Sequence, residues 1–451
     1  VSELLELAER LLERAHENEA MEIYLSRGVD TSVRAYEGAV ENVTSASSSS
    51  VGVRVLQNGP GGARVGAAWA GSLDEHALAD AITQARENVA FASEDEFMSF
   101  ASPDGVSPAA LNVTNDAVAT TPIDDKINLA LDLERRVRLG DARVRKVESA
   151  NYSDYLAEAA IISTSGIRAS WSRSGAYVST SVIAHDDERD HTGWGLSAGR
   201  APEELDLARA ASDAIDRATR MLGAVKPRTM KCAAVFDPRT TATLLAVLGG
   251  AASGDAVGRG RSFFAGRLGE VVASPLVTLV DDPTDPRHFA ASSFDGEGLA
   301  CRRTVLIERG ELRGLVYDTH SARRAGTTST GGALRAGAAG TPTAGCRALQ
   351  LLAGEDDAAS ILRQVGEGVY VTSLMGIHSG VSPVSGDFSV GVTGLMIRGG
   401  QLAEPIREVT VASTLQRMLL DVTHVGSDLE WLPGNAAGQT LAIAELTVAG
   451  A

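Results

Sequence analysis

The chain is poor in aromatic residues, lysine and cysteine, and each shortage removes a class of function. Phe, Trp and Tyr make up 4% of its 451 residues, against 44% hydrophobic residues overall. The cores must therefore be built from Val, Leu, Ile and Ala. Lysine occurs only at Lys126, Lys146, Lys226 and Lys231, and arginine supplies the rest of the 41 basic residues. There is no basic run and no platform of mixed aromatic and basic side chains. The formal net charge is −17. An acidic surface gains no counterion-release affinity for phosphate backbones, so no nucleic-acid partner is expected. The arginine bias, with abundant Ala and Gly, points to a GC-rich genome such as that of an actinobacterium.

Cys232, Cys301 and Cys346 are far apart and show no C-x-x-C spacing. That excludes a disulfide framework and a zinc knuckle, and leaves buried free thiols in a reducing cytoplasm. Long hydrophobic runs are also missing: no stretch approaches the roughly 18 apolar residues that a membrane span requires. The first stretch, "VSELLELAERLLERAHENEA", is a charged amphipathic helix rather than an apolar leader. The sequence reads as cytoplasmic, with no membrane contact.

What is present is periodic. Leu4, Leu5, Ala8, Leu11, Leu12 and Ala15 form one helical stripe, with Ser2 as N-cap. The period then drops to two. "MEIYLSR", "TSVRAYEG", "AVENVTSAS" and "SVGVRVLQNG" read as consecutive antiparallel strands, followed by "GGARVGAAWA". Helices are predicted over 74–89, 123–139 and 202–222, with an aperiodic surface connection over 98–122 between the first two. A second set of strands runs through "VRKVESANYS", "LAEAAIISTSG", "IRASWSRSG" and "AYVSTSVIAHD". From "KCAAVFDP" the chain becomes glycine-dense and strand-rich, with short helices near 240–248 and 357–365. The expectation is an α+β fold in two domains. One spans 1–225, an antiparallel sheet with flanking helices. The other spans 226–451 and is rich in strands.

Several polar clusters compete for chemistry. "AHDDERDHTGWG" brings His185, Asp186, Asp187, Asp190 and His191 together, but it lies between two strands and reads as a solvated hairpin tip. Asp281-Asp282-Pro283 reads as a strand exit with an Asx-turn. A carboxylate placed there can also be catalytic. Asp295 and Glu297 read as turn and solvated residues. "STGGALR" (329–335) lacks the spacing of a nucleotide-binding P-loop and reads as a flexible or substrate-lining loop. "GIHSGVSPVSGDFSVG" (376–391) carries His378, Ser379, Ser382, Ser385, Asp387 and Ser389. Its serines stand in no fixed relation to the histidine, and no G-x-S-x-G elbow is present.

The stretches from "FDPRTTATLLAVLGG" through "FDGEGLACRRTVLIERGELRGLVYDTHSARRAG", "STGGALR" and "GIHSGVSPVSGDFSVGVTGLMIRGG" resemble the TldD/PmbA family of peptidases, and within it the PmbA (TldE) branch. The resemblance implies a two-domain α+β fold and a dimer. It also implies a zinc site in TldD-type chains, built from an H-E-x-x-x-H helix and a cysteine near the C-terminus. Here Leu245, Ala246 and Gly250 stand at the three helix positions, and the C-terminal segment has no cysteine. No metal and no cofactor is therefore expected. The segment over 376–391 is implied to line the substrate channel. Gly376, His378, Ser379, Gly386 and Asp387 are the expected substrate-binding residues, and His378, Ser385 and Asp387 are the candidates for any metal-free catalysis.

Three functions follow from this reading. The first is a zinc-less subunit that shapes the channel of a dimer acting on peptide or peptide-like amide bonds, paired with itself or with a TldD-like chain. The second is a homodimeric, metal-independent amide hydrolase. The third is a non-catalytic regulator.

Overall fold

The computed structural model describes residues 2–186 and 189–450. By its contacts the chain forms two compact units. The first comprises Val1–Leu222 with two returning segments, Gly296–Ala300 and Arg335–Thr341; the second comprises the remainder.

The first unit is built on long strands. Helix α1 (Glu3–Leu12) is followed by β1 (Ala20–Tyr36), β2 (Ala39–Gly59) and β3 (Gly62–Ala70). Helices α2 (Glu75–Asn88), α3 (Ala117–Thr120) and α4 (Ile123–Gly140) come next, then β4 (Val144–Ser163), β5 (Arg168–His185), β6 (Asp190–Gly199) and α5 (Leu207–Thr219). The strands form one antiparallel sheet in the order β3-β2-β1-β4-β5-β6. The eight short strands expected from the sequence are four long ones. "MEIYLSR" and "TSVRAYEG" are both β1, and the other three pairs merge in the same way into β2, β4 and β5. The Gly28, Ser47–Ser50 and Gly175 junctions break the hydrophobic alternation without turning the backbone. A strand needs only extended φ and ψ, and small residues satisfy that without packing.

The helices sit where their apolar stripes dictate. Leu4, Leu5, Ala8 and Leu11 of α1 pack with Leu78, Ala81, Ile82 and Ala85 of α2 over the Met21–Leu25 and Val51–Val55 stretches of the sheet. Asp74 caps α2 by accepting the Ala77 N–H at 2.8 Å. Farther along the same sheet, Ala130, Leu133 and Val137 of α4 join Ala210, Ala214 and Ala218 of α5 over Val33, Ala35, Val178 and Val182. Helix α5 is shorter than its predicted span, because 202–204 forms a separate 3-10 turn. The connection over 98–122 is not only a surface loop, since Phe100, Ala101, Val113 and Val118 are buried.

The second unit opens with β7 (Met230–Phe236), α6 (Pro238–Ala251) and α7 (Gly254–Gly258). A four-stranded sheet in the order β10-β9-β8-β13 follows from β8 (Leu279–Asp281), β9 (Thr304–Glu308), β10 (Glu311–Leu312) and β13 (Leu349–Leu351). Between them lie α8 (Thr319–Ala325) and the short pair β11 (Ala333–Leu334) and β12 (Thr343–Ala344). The last elements are α9 (Ala358–Val365), β14 (Gly368–Met375), α10 (Ile377–Gly380), β15 (Asp387–Arg398), β16 (Gln401–Thr414), α11 (Leu415–Leu420), β17 (Val422–Val425) and β18 (Leu441–Ala449).

These last strands order as β16-β15-β14-β7-β18-β17, and β16 also pairs with β18. That additional pairing closes five strands into a small barrel, which no local pattern announces. The β7–β14 pair is parallel and its neighbours are antiparallel.

Two readings of individual residues are corrected. Asp295 and Glu297 are not solvated: both are buried, and Asp295 accepts the Ala333 N–H at 3.1 Å. The "STGGALR" segment is pinned rather than loose. Its Ala333 and Leu334 pair with Ala344 and Thr343, and Arg335 reaches Glu22 at 2.8 Å inside the first unit.

Candidate functional site

The glycine-dense stretch over 376–391 forms a tight strand–turn–strand. Strand β14 ends at Met375, and Gly376, at φ +75°, reverses the chain into the single turn of α10. The turn closes through the Gly386 N–H to the Ser382 carbonyl at 2.8 Å and the Ser382 N–H to the Asp387 carbonyl at 2.9 Å. A Cβ on Gly380 would lie 2.1 Å from the Ser389 carbonyl oxygen. Gly386 combines φ +83° with the Gln416 side chain packed against it. A side chain at Gly380 would collide with backbone, and one at Gly386 would be strained by its positive φ.

Within the turn the Ser385 hydroxyl donates to Asp387 Oδ2 at 2.6 Å. Gln416, on α11, donates from Nε2 to the Ser385 carbonyl at 2.9 Å. The sequence reading missed this glutamine, because it lies thirty-one positions away on another element. His378 is exposed on α10, and among the described residues no hydrogen bond joins it to Ser385 or Asp387. Ser379 is also exposed, and its hydroxyl donates to the Gly376 carbonyl at 3.2 Å. The structure thus brings Ser385 and Asp387 together and leaves His378 apart. A serine hydrogen-bonded to a carboxylate, with no base oriented on it, lacks the arrangement of a triad.

Next to this turn lies an open strand edge. β7 pairs with only Gly368–Val371 of β14 before it ends at Phe236. The Asp237 N–H and the Thr240 hydroxyl then both donate to the Val371 carbonyl, at 3.1 and 3.3 Å, and turn the chain into α6. Among the described residues no strand pairs with residues 373–375 on the side away from β15.

Helix α6 carries the positions that the resemblance assigns to zinc. Leu245 is 1% exposed, and Ala246 and Gly250 add no donor atom. Leu245 lines an apolar cavity of about 30 Å³ together with Leu248, Leu351, Met418, Leu441 and Ile443 among others. Every lining residue is Leu, Val, Met or Ile. A divalent cation requires nitrogen, sulfur or oxygen ligands, so these residues do not fit a zinc ion. Among the described residues no group of three or more His, Cys, Asp or Glu side chains is placed to hold a metal.

The thiols are poor nucleophiles. Burial pushes Cys232 up to about 11 and Cys301 up to about 12, and raises Cys346 well above its ordinary value. None is thiolate near neutral pH. Asp281, at the end of β8, is buried and accepts the N–H groups of Arg347 and Ala348 at 2.9 and 2.6 Å. Burial raises its carboxyl to about 6, against the pull of those two N–H donors. Its neighbour Asp282 makes the expected Asx-turn to the Thr284 N–H at 3.1 Å.

At the β5–β6 hairpin, His185 pairs with Asp190 and His191 with Asp186, each at 2.8 Å. Asp187, part of the same cluster in the sequence, lies outside the described residues. Among the described residues no helix is long and apolar enough to cross a membrane.

Three family models match along the chain: PmbA/TldA metallopeptidase domain 1 over residues 21–89, the central domain over 116–222 and the C-terminal domain over 229–450. The chain is 28% identical to the metalloprotease PmbA of Escherichia coli O157:H7, over all of this chain and 95% of that protein. It is 27% identical to a metalloprotease TldD homolog of Haemophilus influenzae, over 76% of this chain and 78% of that one. Among solved structures, TldE from Thermococcus kodakarensis superimposes with a TM-score of 0.88 at 21% identity, covering 99% of both chains. A Thermotoga maritima protein described as a candidate modulator of a DNA gyrase gives a TM-score of 0.88 at 22% identity, covering 98% of this chain and 99% of that one.

Proposed function

The chain belongs to the PmbA/TldD metallopeptidase family, and from that premise we propose that it handles peptides without a zinc centre of its own, as a subunit shaping the substrate channel of a dimer. One observation carries the proposal. The helix positions that would supply two imidazoles and a carboxylate are Leu245, Ala246 and Gly250, and the space beside Leu245 is wholly apolar. No side chain there binds an ion or activates a water. Hydrolysis then falls to a partner chain of TldD type that carries the zinc ligands.

The contribution of this chain is main-chain recognition. An extended peptide adds to the open edge of β14 at residues 373–375 and gains backbone hydrogen bonds that are blind to sequence. Gly376, His378, Ser379, Gly386 and Asp387, on the turn that follows this strand, form the proposed substrate-binding group. Gly376 and Gly386 fix the turn, and the Ser385–Asp387 hydrogen bond supports its rigidity.

The experiment uses the purified chain, treated with a chelator and incubated with a mixed library of peptides and small amides. Products are followed by mass spectrometry. The expected result is no cleavage alone and cleavage once a zinc-bearing TldD-type partner is added. Cleavage by the isolated, chelated chain would overturn the reading. It would favour a metal-independent amide hydrolase, whose residues would then be sought by replacing His378, Ser385 and Asp387 with alanine.

A further inference from the structure

Aromatic side chains are scarce in this chain, and its four tryptophans are Trp69, Trp171, Trp194 and Trp431. The first three belong to the first unit and Trp431 to the second. Trp431 is half-buried on the loop between β17 and β18. Two neighbours hold its ring. The Arg287 guanidinium carbon lies 4.6 Å from the ring centroid. The buried His288 ring meets it edge-on, with centroids 5.9 Å apart and planes at 80°. A ring fixed in this way gives up little freedom when a ligand packs on it.

The loop is pinned at its base. Glu430 and Gly438 exchange both N–H···O bonds, at 2.7 and 3.1 Å. The Leu349 N–H donates to the Asn435 carbonyl and the Ala437 N–H to the Leu349 carbonyl, both at 2.8 Å, which ties the loop to β13. Gly438 also lies against the start of α6: a Cβ there would stand 1.8 Å from the Pro238 carbonyl oxygen. Pro238 follows Asp237, whose N–H bonds the Val371 carbonyl where the pairing of β14 with β7 stops. The Trp431 loop, the first turn of α6 and the free edge at 373–375 thus share one corner of the second unit.

We propose that Trp431 gives this edge a side-chain preference, by receiving a bulky apolar or aromatic side chain of the peptide that adds to β14. The inference rests on the main-chain reading above and extends it. Main-chain hydrogen bonds supply affinity without regard to sequence, and pockets beside the added strand supply selectivity. The charges around the ring point to an apolar guest. Arg287 is held by Asp285 in a two-point contact, at 3.0 and 2.6 Å, and Arg303 pairs with Asp282 at 3.7 Å. A charged guest would meet groups that are already neutralised. An apolar guest gains from burying hydrocarbon and, where it is aromatic, from ring–ring contact.

Binding to the full chain tests this with unstructured decapeptides of alanine and serine that carry Phe, Ala or Glu at one central position. A terminal dye reports binding by anisotropy, and intrinsic tryptophan emission is followed in parallel. The Phe peptide is expected to bind about tenfold more tightly than the other two and to change the emission. Trp431→Phe is expected to keep the preference and lose the emission change, because the remaining tryptophans lie in the first unit. Trp431→Ala is expected to bind all three peptides with the affinity that the wild type shows for the Ala peptide. Equal affinity of the wild type for the three peptides overturns the inference and leaves the main-chain reading standing, a result that needs no variant to fold. So does a Phe preference that survives in Trp431→Ala. An equal loss of affinity for all three peptides in that variant would assign the ring a purely structural role, and would also overturn it. Failure of the wild type to bind any of the peptides would overturn the main-chain reading as well.

Discussion

Asp281 offers a direct way to separate a structural carboxylate from a catalytic one. Its carboxyl is raised from 3.8 to about 6, chiefly by burial. That difference corresponds to about 3 kcal/mol between the protonated and ionised forms. The folded chain binds this proton more tightly than the unfolded chain does. The stabilisation is therefore complete below about pH 4 and is lost as pH rises through about 6. Asp281→Asn keeps an Oδ1 acceptor for the Arg347 and Ala348 N–H groups and removes the charge. At pH 8 it should be more stable than the wild type by about 1–3 kcal/mol, the lower figure applying if the new amide N–H finds no acceptor. Near pH 4 the gain should vanish. Asp281→Ala strands both buried N–H donors and should cost about 2–4 kcal/mol near pH 4, a loss that shrinks as pH rises through about 6 because the wild type gives up its own stabilisation there. Urea unfolding at pH 4, 6 and 8 reads all three chains. An Asn variant less stable than the wild type at pH 8, or one whose difference does not change with pH, would refute the assignment of a buried charge tolerated for its hydrogen bonds.

Other outcomes follow from the same geometry. Restoring the zinc pattern by Leu245→His, Ala246→Glu and Gly250→His should lower stability by about 2–5 kcal/mol, the usual range for losing a buried leucine. Metal analysis of that variant should find no stoichiometric zinc; a tightly bound ion would show that the apolar cavity reorganises. Glu22 is buried between Arg54 and Arg335; burial pushes its carboxyl up, but the two guanidiniums outweigh that and hold it below its ordinary value. Glu22→Gln leaves two buried cations facing each other and should cost about 3–5 kcal/mol in urea unfolding, whereas a loss under about 1 kcal/mol would mean that water already solvates them. Gly380→Ala should destabilise by more than about 1 kcal/mol, since its Cβ meets the Ser389 carbonyl; an unchanged thermal midpoint would show that the turn relaxes freely.

Local chemistry made much of this fold legible. Asp74, Asp237 and Asp357 cap their helices by accepting the N–H three residues on. The alternation in β1 to β6 identified the strands but not their lengths, because serine and glycine interrupt hydrophobicity without ending extension. The barrel was illegible for a different reason. The β16–β18 contact joins residues 410–412 to 447–449, and nothing in either strand announces its partner. Asp295 was misread because a carboxylate in a Gly-rich turn looks solvated until the Ala333 N–H arrives from thirty-eight residues away. Of the candidate residues, the structure joins Ser385 to Asp387 by a hydrogen bond. The separation of His378 from them depends on Gly376 turning α10 outward, which is a matter of backbone angle rather than residue type.

The apolar lining around Leu245 bears on the proposal that this chain holds no zinc of its own. If a histidine were simply missing there, the neighbouring side chains would still be polar, since metal ligands are held by hydrogen bonds from a surrounding shell. The cavity walls instead contain only Leu, Val, Met and Ile, drawn from α6, α11, β8, β13, β17, β18 and the approach to β8. A change at one position would have left orphaned polar groups of the kind that cost about 1–3 kcal/mol each. An all-hydrocarbon wall carries no such cost and adds burial energy to the core of the second unit. On the proposed reading α6 serves packing, and the part of this chain that meets peptide is the turn over 376–391 with its adjoining strand edge. That division is what the proposed role requires of a subunit that guides peptide main chain and leaves the bond-breaking step to another chain.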